Sequence, residues 1–440
     1  MSIRQALRLF ARRTAQATAR GTVRLSCAAL LAAGGAQAAH AADVPAPLDI
    51  SLPEALAAAR SNLDVRIATR GLAAAQADIL AADHAPLPQL SGKLSQIDLQ
   101  NGIGPGNVLR DKRIDKAVGL DWTWERGDKR ALRTEAARRI ATAASADVDE
   151  VRNQQALAAH VAFFDLLASQ ERQDHLAEIA RSGAQTAAIA KKRLDAGDVA
   201  VQDAARAAVE AERAQADADA ARQDVDRARR ALAQITAREA DAARLRARGD
   251  WPVAASAGDD PPLHTLVALR ADVAAAQERV RAAEAALSGA RAQRQGDVTW
   301  GVSMDHYPGT STRQLELRAS MPLSWGYAYE GESARAQAQL EQAQDQLDKT
   351  RRAAEAELQR LQSELAAAAR RAARFEAAIL PRSREVAARA ETAYGKGALP
   401  LTDLLDARRT LRAVLLDDLA ARADLAKAQG AWQLRSSVAR

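Results

Sequence analysis

The 440-residue chain carries 62 Lys and Arg against 56 Asp and Glu. The surplus equals the six arginines Arg4, Arg8, Arg12, Arg13, Arg20 and Arg24, which stand in a 41-residue opening without a single acidic side chain; the remainder balances at 56 against 56 and leaves no electrostatic footprint for nucleic acid. Alanine is abundant, charged residues make up 27 % and aromatics only 3 %, a mixture that points to long helices and coiled coils.

Residues 1–41 read as a secretory signal: a basic stretch, the apolar run Cys27 to Ala36, and small residues at Ala39-His40-Ala41. Cys27 is the only cysteine and falls within this segment, so cleavage after Ala41 leaves no disulfide and no thiolate metal site. No later segment offers about 18 consecutive apolar residues, and no transmembrane helix is expected.

After a Pro-containing linker, Ser51-Leu-Pro-Glu54 has the form of a capping box with Pro in the first turn. A helix to Arg60 and a longer one from Asn62 to His84 follow, stopped by Pro86-Leu-Pro88. Two extended segments come next, at about 90–100 and 115–124. The first alternates imperfectly, with a slip between Leu94 and Ile97; in the second, Val118, Leu120, Trp122 and Trp124 face one way and Gly119, Asp121 and Thr123 the other. Beyond Glu125-Arg-Gly-Asp-Lys-Arg130, a helical run with room for one break reaches about Leu194, long enough at about 1.5 Å per residue to belong to a coiled coil or tube.

That run ends in Arg193-Leu-Asp-Ala-Gly197-Asp198-Val199-Ala-Val-Gln-Asp203. The stretch Ala393-Tyr394-Gly-Lys-Gly397-Ala398-Leu399-Pro-Leu-Thr-Asp403 repeats its form 200 positions later. Each is a helix C-cap Gly, a short turn and an Asp that opens the next helix, the join between antiparallel helices. The return helix shows an unbroken 3-4 heptad seam at 204, 207, 211, 214, 218, 221, 225, 228, 232 and 235, filled mainly by alanine; shifted by 200, the same phase recurs and is broken only by Asp418. Two structural repeats are therefore expected, 42–255 and 256–440. The second repeat has strands at about 297–306 and 313–323, then a helical run from Gly331 through Pro381 to Tyr394, then a last helix to Trp432.

Strands of about ten alternating residues suit a tilted crossing of a bilayer. Trp122, Trp124, Trp300, Tyr307, Trp325, Tyr327 and Tyr329 collect at the strand ends as membrane-interface aromatics would. Four strands cannot close a barrel, so a membrane-spanning sheet requires several protomers.

With its two-fold repeat, Pro86-Leu-Pro88-Gln89-Leu90 before the first strand and two Gly-x5-Asp tips, the chain resembles the TolC-like outer-membrane efflux proteins over essentially all of the mature length. The resemblance implies a mainly α fold with a membrane β-barrel: a homotrimer in which each protomer gives four strands to a twelve-stranded barrel over a long coiled-coil helical tunnel. It implies a location in the outer membrane of a Gram-negative bacterium, contact with outer-membrane lipid, and partnership with a periplasmic adaptor and an inner-membrane resistance-nodulation-division (RND) pump. It places the tip residues Gly197, Asp198, Val199, Gly397, Ala398 and Leu399 against the adaptor, Asp403 and Asp406 at a periplasmic constriction, and Tyr394 and Asp203 in hydrogen bonds that lock the closed state. The family pattern has a basic residue where this chain has Leu399. The turn at 125–130 is similar to the Glu-x-Gly-Gly-Lys-Arg turn of the heavy-metal cation branch, with Asp128 at the second Gly.

Asp403 and Asp406 lie at i and i+3 in a first helical turn and so share a face. Three-fold symmetry would set six carboxylates around one aperture, which favours cations; acidic side chains there also complement the helix dipole. No catalytic constellation, metal-ligand spacing or cofactor motif is recognisable. The expectation is a passive, non-enzymatic exit duct for efflux of heavy-metal cations, without cofactor. An exit duct for type I protein secretion or drug efflux, and a periplasmic coiled-coil adaptor or scaffold, remain as alternatives.

Overall fold

The computed structural model describes residues 46–97, 99–102, 104–107, 114–253, 261–308 and 311–436. The secretory signal over residues 1–41 and the division between halves at 255/256 lie outside the described residues. Strand β1 (Leu48–Ile50) leads into α1 (Leu52–Ala59) and α2 (Leu63–Ala82). At the start of α1 the Ser51 N–H donates to Glu54 Oε2 at 2.9 Å, the returning half of the capping box. Strands β2 (Gln89–Ser95) and β3 (Asp115–Trp124) follow, then α3 (Lys129–Asp195), α4 (Val201–Ile235), a 3₁₀ turn and β4 (Leu245–Ala247). The second half has α5 (Leu263–Ala268), α6 (Ala271–Ala292), β5 (Val298–Tyr307), β6 (Ser311–Ser320), α7 (Glu330–Arg374), α8 (Leu380–Gly395) and α9 (Leu401–Ser436).

Helix α3 runs its 67 residues without the break the sequence allowed for, about 100 Å of continuous helix. The other long run is not continuous. Between α7 and α8, Phe375–Ile379 forms a π turn in which the Leu380 N–H reaches back to the Phe375 carbonyl. Pro381 stands in the first turn of α8, where its missing N–H and bulky ring would spoil an uninterrupted α-helix, and the wider turn before it absorbs that misfit.

The four longer strands form one antiparallel sheet in the order β2-β3-β5-β6, so the first-half strand β3 pairs with the second-half strand β5. Strand β2 stops at Ser95, short of the expected 100, because Gln96 turns to a positive φ of 57° where the alternation slipped. Strand β6 stops at Ser320, two residues before Pro322, which has no N–H to give to a ladder. Register aligns Leu90, Leu120, Val302 and Leu317 on one face, with Val118, Met304 and Leu315 beside them. The opposite face carries Ser91, Gly119, Ser303 and Glu316, then Asp121, Gly301 and Arg318. The burial of these faces is inverted relative to a sheet in water. Leu90 and Leu317 are 80 % and 76 % exposed, while Ser303 and Asp305 are 4 % and 3 % exposed.

The helical core centres on Phe163, Phe164 and Leu166 of α3, Leu232 of α4, and Ile50 and Leu245 of a parallel β1–β4 pair. These three-residue strands are too short to show as alternation; the Gln170 side chain completes the pair, accepting from the Ala247 N–H and donating to the Ala247 carbonyl, each at 3.0 Å. The alanine seam of α4 is buried at Ala207, Ala214, Ala218 and Ala221. Asp418, the heptad break in α9, is buried with its Oδ2 3.1 Å from Arg422 Nε. Arg422 continues to Glu171 at 2.7 Å and lies over the Trp251 ring. The Glu171 carboxyl is pulled down to about 2 by His175, then Arg422 and Trp251, against the opposing effect of burial. His175 Nε2 is 3.7 Å away, long for a hydrogen bond, so Arg422 at 2.7 Å and Trp251 at 2.8 Å carry more of the effect.

Helices α3 and α9 meet where His160 Nε2 donates to the Ala426 carbonyl at 2.9 Å and its ring lies against Gly430. A Cβ at Gly430 would overlap that ring. Gly→Ala inside a helix ordinarily gains up to about 1 kcal/mol. Here Gly430→Ala is expected to cost about 3 kcal/mol in thermal unfolding of the detergent-purified chain, because the ring must leave both its bond and the Phe164 ring 4.9 Å away. Burial also lowers the His160 pKa, and the Ala426 carbonyl only partly offsets this. A His held neutral in the fold contributes stability that is whole above the ordinary value of about 6.5 and is lost as pH falls below it. The melting temperature should therefore decline from pH 7 to pH 5, and His160→Gln should flatten that part of the profile.

Candidate functional site: the paired helix tips

Both tips are closed by the same backbone device. At the first, Gly197 takes φ 79°, the Asp198 N–H bonds the Arg193 carbonyl at 2.8 Å and the Gly197 N–H bonds the Leu194 carbonyl at 2.9 Å. At the second, Gly397 takes φ 72°, Ala398 bonds Ala393 at 2.9 Å and Gly397 bonds Tyr394 at 3.0 Å. This pair of bonds satisfies the last helical carbonyls and requires a left-handed residue at the glycine. Gly197, Asp198, Gly397 and Ala398 are exposed, whereas Val199 and Leu399 are half-buried at matching places. Leu399 thus serves as the apolar foot of its turn, as Val199 does in the other tip. Asp203 and Asp403 each fall in the first turn of the following helix.

The two tips pack on each other. Ala190 and Ala207 of the first hairpin meet Leu401, Leu404, Leu405 and Tyr394 of the second. The Tyr394 hydroxyl is buried without a hydrogen-bond partner, and Asp203 does not reach it; the Arg193 guanidinium sits 5.0 Å from the Tyr394 ring centre instead. Asp403 is exposed, and Asp406, also exposed, has its Oδ1 3.1 Å from Arg409 Nη1.

Three arginines of α9 that sequence reasoning did not single out tie the hairpins together. Arg408 donates to Thr186 Oγ1 of α3 at 2.6 Å and pairs with Glu391 of α8 at 2.9 Å. Arg409 pairs with Glu210 of α4 at 2.6 Å, and Arg412 pairs with Asp217 of α4. The shared heptad phase of the return helices was the available signal, since it sets 409 and 412 near 210 and 217 once α4 and α9 are laid side by side. Arg408, Arg409, Arg412, Thr186, Glu210 and Glu391 edge a crevice of about 240 Å³ between the hairpins, floored by Ala207, Ala214 and Leu405. Glu210 is held below the usual carboxylate range, first by Arg409.

At the sheet, Trp122 and Trp300 are cross-strand partners on the apolar face, and Trp124 lies one rung pair further toward the helices. Trp325, Tyr327 and Tyr329 occupy the connection from β6 into α7, at that same end, with the Tyr327 and Tyr329 rings 5.7 Å apart. Tyr307 alone stands at the far, hairpin end of β5. The other six aromatics therefore make a single belt where the sheet meets the helices.

That meeting is built by the turn at 125–130. Gly127 and Asp128 both take positive φ, 74° and 55°, so position 128, a Gly in the related turn, demands the left-handed conformation that Asp tolerates. Buried Lys129 gives its Nζ to the Gln295 carbonyl and to Asp297, each at 2.7 Å, while Arg133 forks onto Glu125 and caps the Ala82 and His84 carbonyls at the end of α2. Among the described residues no group of three His, Cys, Asp or Glu side chains is placed to hold a metal ion, and no helix is long and apolar enough to cross a membrane.

Because the Tyr394 hydroxyl is buried and unpaired, Tyr394→Phe is expected to be neutral or to stabilise the fold by about 1 kcal/mol in thermal unfolding. A loss above about 1 kcal/mol would show that the hydroxyl is bonded in the assembled protein.

No protein-family model matches the chain, and no curated protein matches it. Solved structures do. It is similar to the outer-membrane protein VceC of Vibrio cholerae at 18 % identity and a TM-score of 0.73, over 88 % of this chain and 95 % of that one. It is similar to CusC, a structure described for transmembrane channel formation, at 18 % identity and a TM-score of 0.72, over 89 % and 93 % of the two chains. A membrane protein of Pseudomonas aeruginosa gives 18 % identity and a TM-score of 0.75, over 89 % and 91 %. The chain has the helical-tunnel-and-strand fold of outer-membrane channels.

Proposed function

We propose that this protein is the outer-membrane exit duct of a tripartite efflux system, a passive conduit whose energy and cargo choice come from its partners. The observation that carries the reading is the inverted sheet, with exposed leucines on one face and covered serines and aspartates on the other, attached to helices of up to 67 residues. Such a sheet suits lipid outside and water inside. Strands β2 and β6 are open edges and run in opposite directions, so β6 of one protomer can pair antiparallel with β2 of the next. A homotrimer closes a twelve-stranded barrel and leaves no edge in lipid. The tips then lie at the far end of the tube. There Gly197 to Val199 and Gly397 to Leu399 would meet a periplasmic adaptor joined to an RND-type inner-membrane pump, and Asp403 and Asp406 would ring the aperture.

The cargo we propose is heavy-metal cations. Support comes from the exposed Asp403 and Asp406 and from the resemblance of the turn at 125–130. Since Glu125, Lys129 and Arg133 are spent on the joint, the weight falls on the tip carboxylates.

The protein should be recovered from the outer-membrane fraction as a trimer that survives an unheated denaturing gel and dissociates on heating; recovery as a soluble monomer would end the duct reading. In planar bilayers, Asp403→Ala with Asp406→Ala should weaken cation preference. A deletion strain should lose tolerance to cobalt, zinc or cadmium salts before it loses tolerance to dyes, and the reverse order would rule out metal cargo.

A further inference from the structure

On the covered face of the sheet, Asp121 of β3, Gly301 of β5 and Arg318 of β6 occupy one cross-strand row. Strands β3 and β6 are two spacings apart, about 9.5 Å. Nevertheless Arg318 Nη2 donates to Asp121 Oδ1 at 3.1 Å, reaching across the whole width of β5. It can do so only because residue 301 has no side chain. A Cβ there would overlap Asp121 Oδ1 and lie 3.2 and 3.3 Å from Arg318 Nε and Nη2. The second carboxylate oxygen of Asp121 accepts from Ser91 Oγ at 3.1 Å, and Arg318 Nε lies 3.7 Å from Glu316. Both Asp121 carboxylate oxygens and the Arg318 guanidinium are thus held along the wall by neighbours on the same face.

We propose that Asp121, Gly301 and Arg318 form a charge-selectivity belt at the membrane end of the duct. Gly301 is the notch that lets the two charges cancel flat against the wall. The inference rests on the pore reading above. The charged residues of this face in the four strands are Lys93 and Arg318 against Asp115, Asp121, Asp305 and Glu316, so the lining is mildly acidic while the bridge stands. In a trimer the bridge occurs three times at one level, so removing one of its charged side chains alters three charges around the passage. The belt keeps the barrel weakly selective for cations, and Arg318 is its regulator: removing it leaves two carboxylates per protomer without their counter-charge.

The test uses full-length protein in planar bilayers under a potassium chloride gradient, in the Asp403→Ala/Asp406→Ala background so that the tip does not set the sign. Arg318→Gln should raise the cation-to-anion permeability ratio by about twofold or more, and Asp121→Asn should lower it. Gly301→Val, which displaces the pair without changing charge, should free Arg318 into the passage, reduce single-channel conductance and shift the ratio toward anions. The double variant Asp121→Asn/Arg318→Gln should return close to its parent. Unheated gels showing intact trimers establish that each variant is assembled. Conducting trimers whose ratio is the same in all variants would overturn the belt and leave the duct reading standing. A parent chain that inserts but does not conduct would overturn the duct reading and the belt with it.

Discussion

A sheet that shows its leucines to the surroundings and covers its aspartates is unstable in water on both counts. Each fully buried Leu or Met side chain is worth about 1.5–3 kcal/mol over an exposed one, and this sheet leaves Leu90, Leu94, Met304, Leu315 and Leu317 bare. The same arrangement is favourable where the surroundings are hydrocarbon and the covered side is wet. From that inversion the rest of the architecture follows. Among the described residues the outer edges of β2 and β6 are unpaired, and in hydrocarbon such edges would need partners beyond their own chain. Ser91 and Arg318 bond to Asp121, and Thr123 bonds to Thr299, so that part of the polar face pairs its own polar groups.

The joint between sheet and helices explains why a short turn carries so much sequence character. Glu125, Gly127, Asp128, Lys129, Arg130 and Arg133 each have a mechanical task. Two of them supply left-handed backbone, Lys129 crosses to the other half of the chain at Gln295 and Asp297, and Arg130 and Arg133 hold the end of α2. A motif of this kind can be shared among chains that move different cargoes, because what it secures is the angle at which a helix leaves a strand.

Much of the fold was legible in the sequence, for identifiable reasons. Strands β3, β5 and β6 announced themselves through period-two alternation, and the tips through a glycine that needs a positive φ and an aspartate in a first helical turn. Three features were illegible. The β1–β4 pair is too short to carry a period. The π turn at Phe375–Ile379 leaves the local composition helical, and only Pro381 hints at it. The ties of Arg408, Arg409 and Arg412 depend on which helices become neighbours; the shared heptad phase of α4 and α9 brings 409 and 412 near 210 and 217 only once those two helices are known to lie side by side. At the tip, Tyr394 is packed between apolar side chains and Arg193, with its hydroxyl unpaired within the chain.

The π turn also sets the two long arms apart. A π turn holds about one residue more than an α turn, which rotates everything beyond it by about 100° about the helix axis. Helix α3 runs from the sheet to its tip in a single phase, whereas the arm made of α7 and α8 changes phase part of the way along. The second arm therefore has a built-in place where a residue can be gained or lost, and where the face directed at its neighbours can be reset, without disturbing either end. The first arm has no such joint, and an insertion anywhere in its 67 residues would turn one end against the other. A one-residue change of length is therefore better absorbed near Phe375–Ile379, on the arm that carries Tyr394, than within α3.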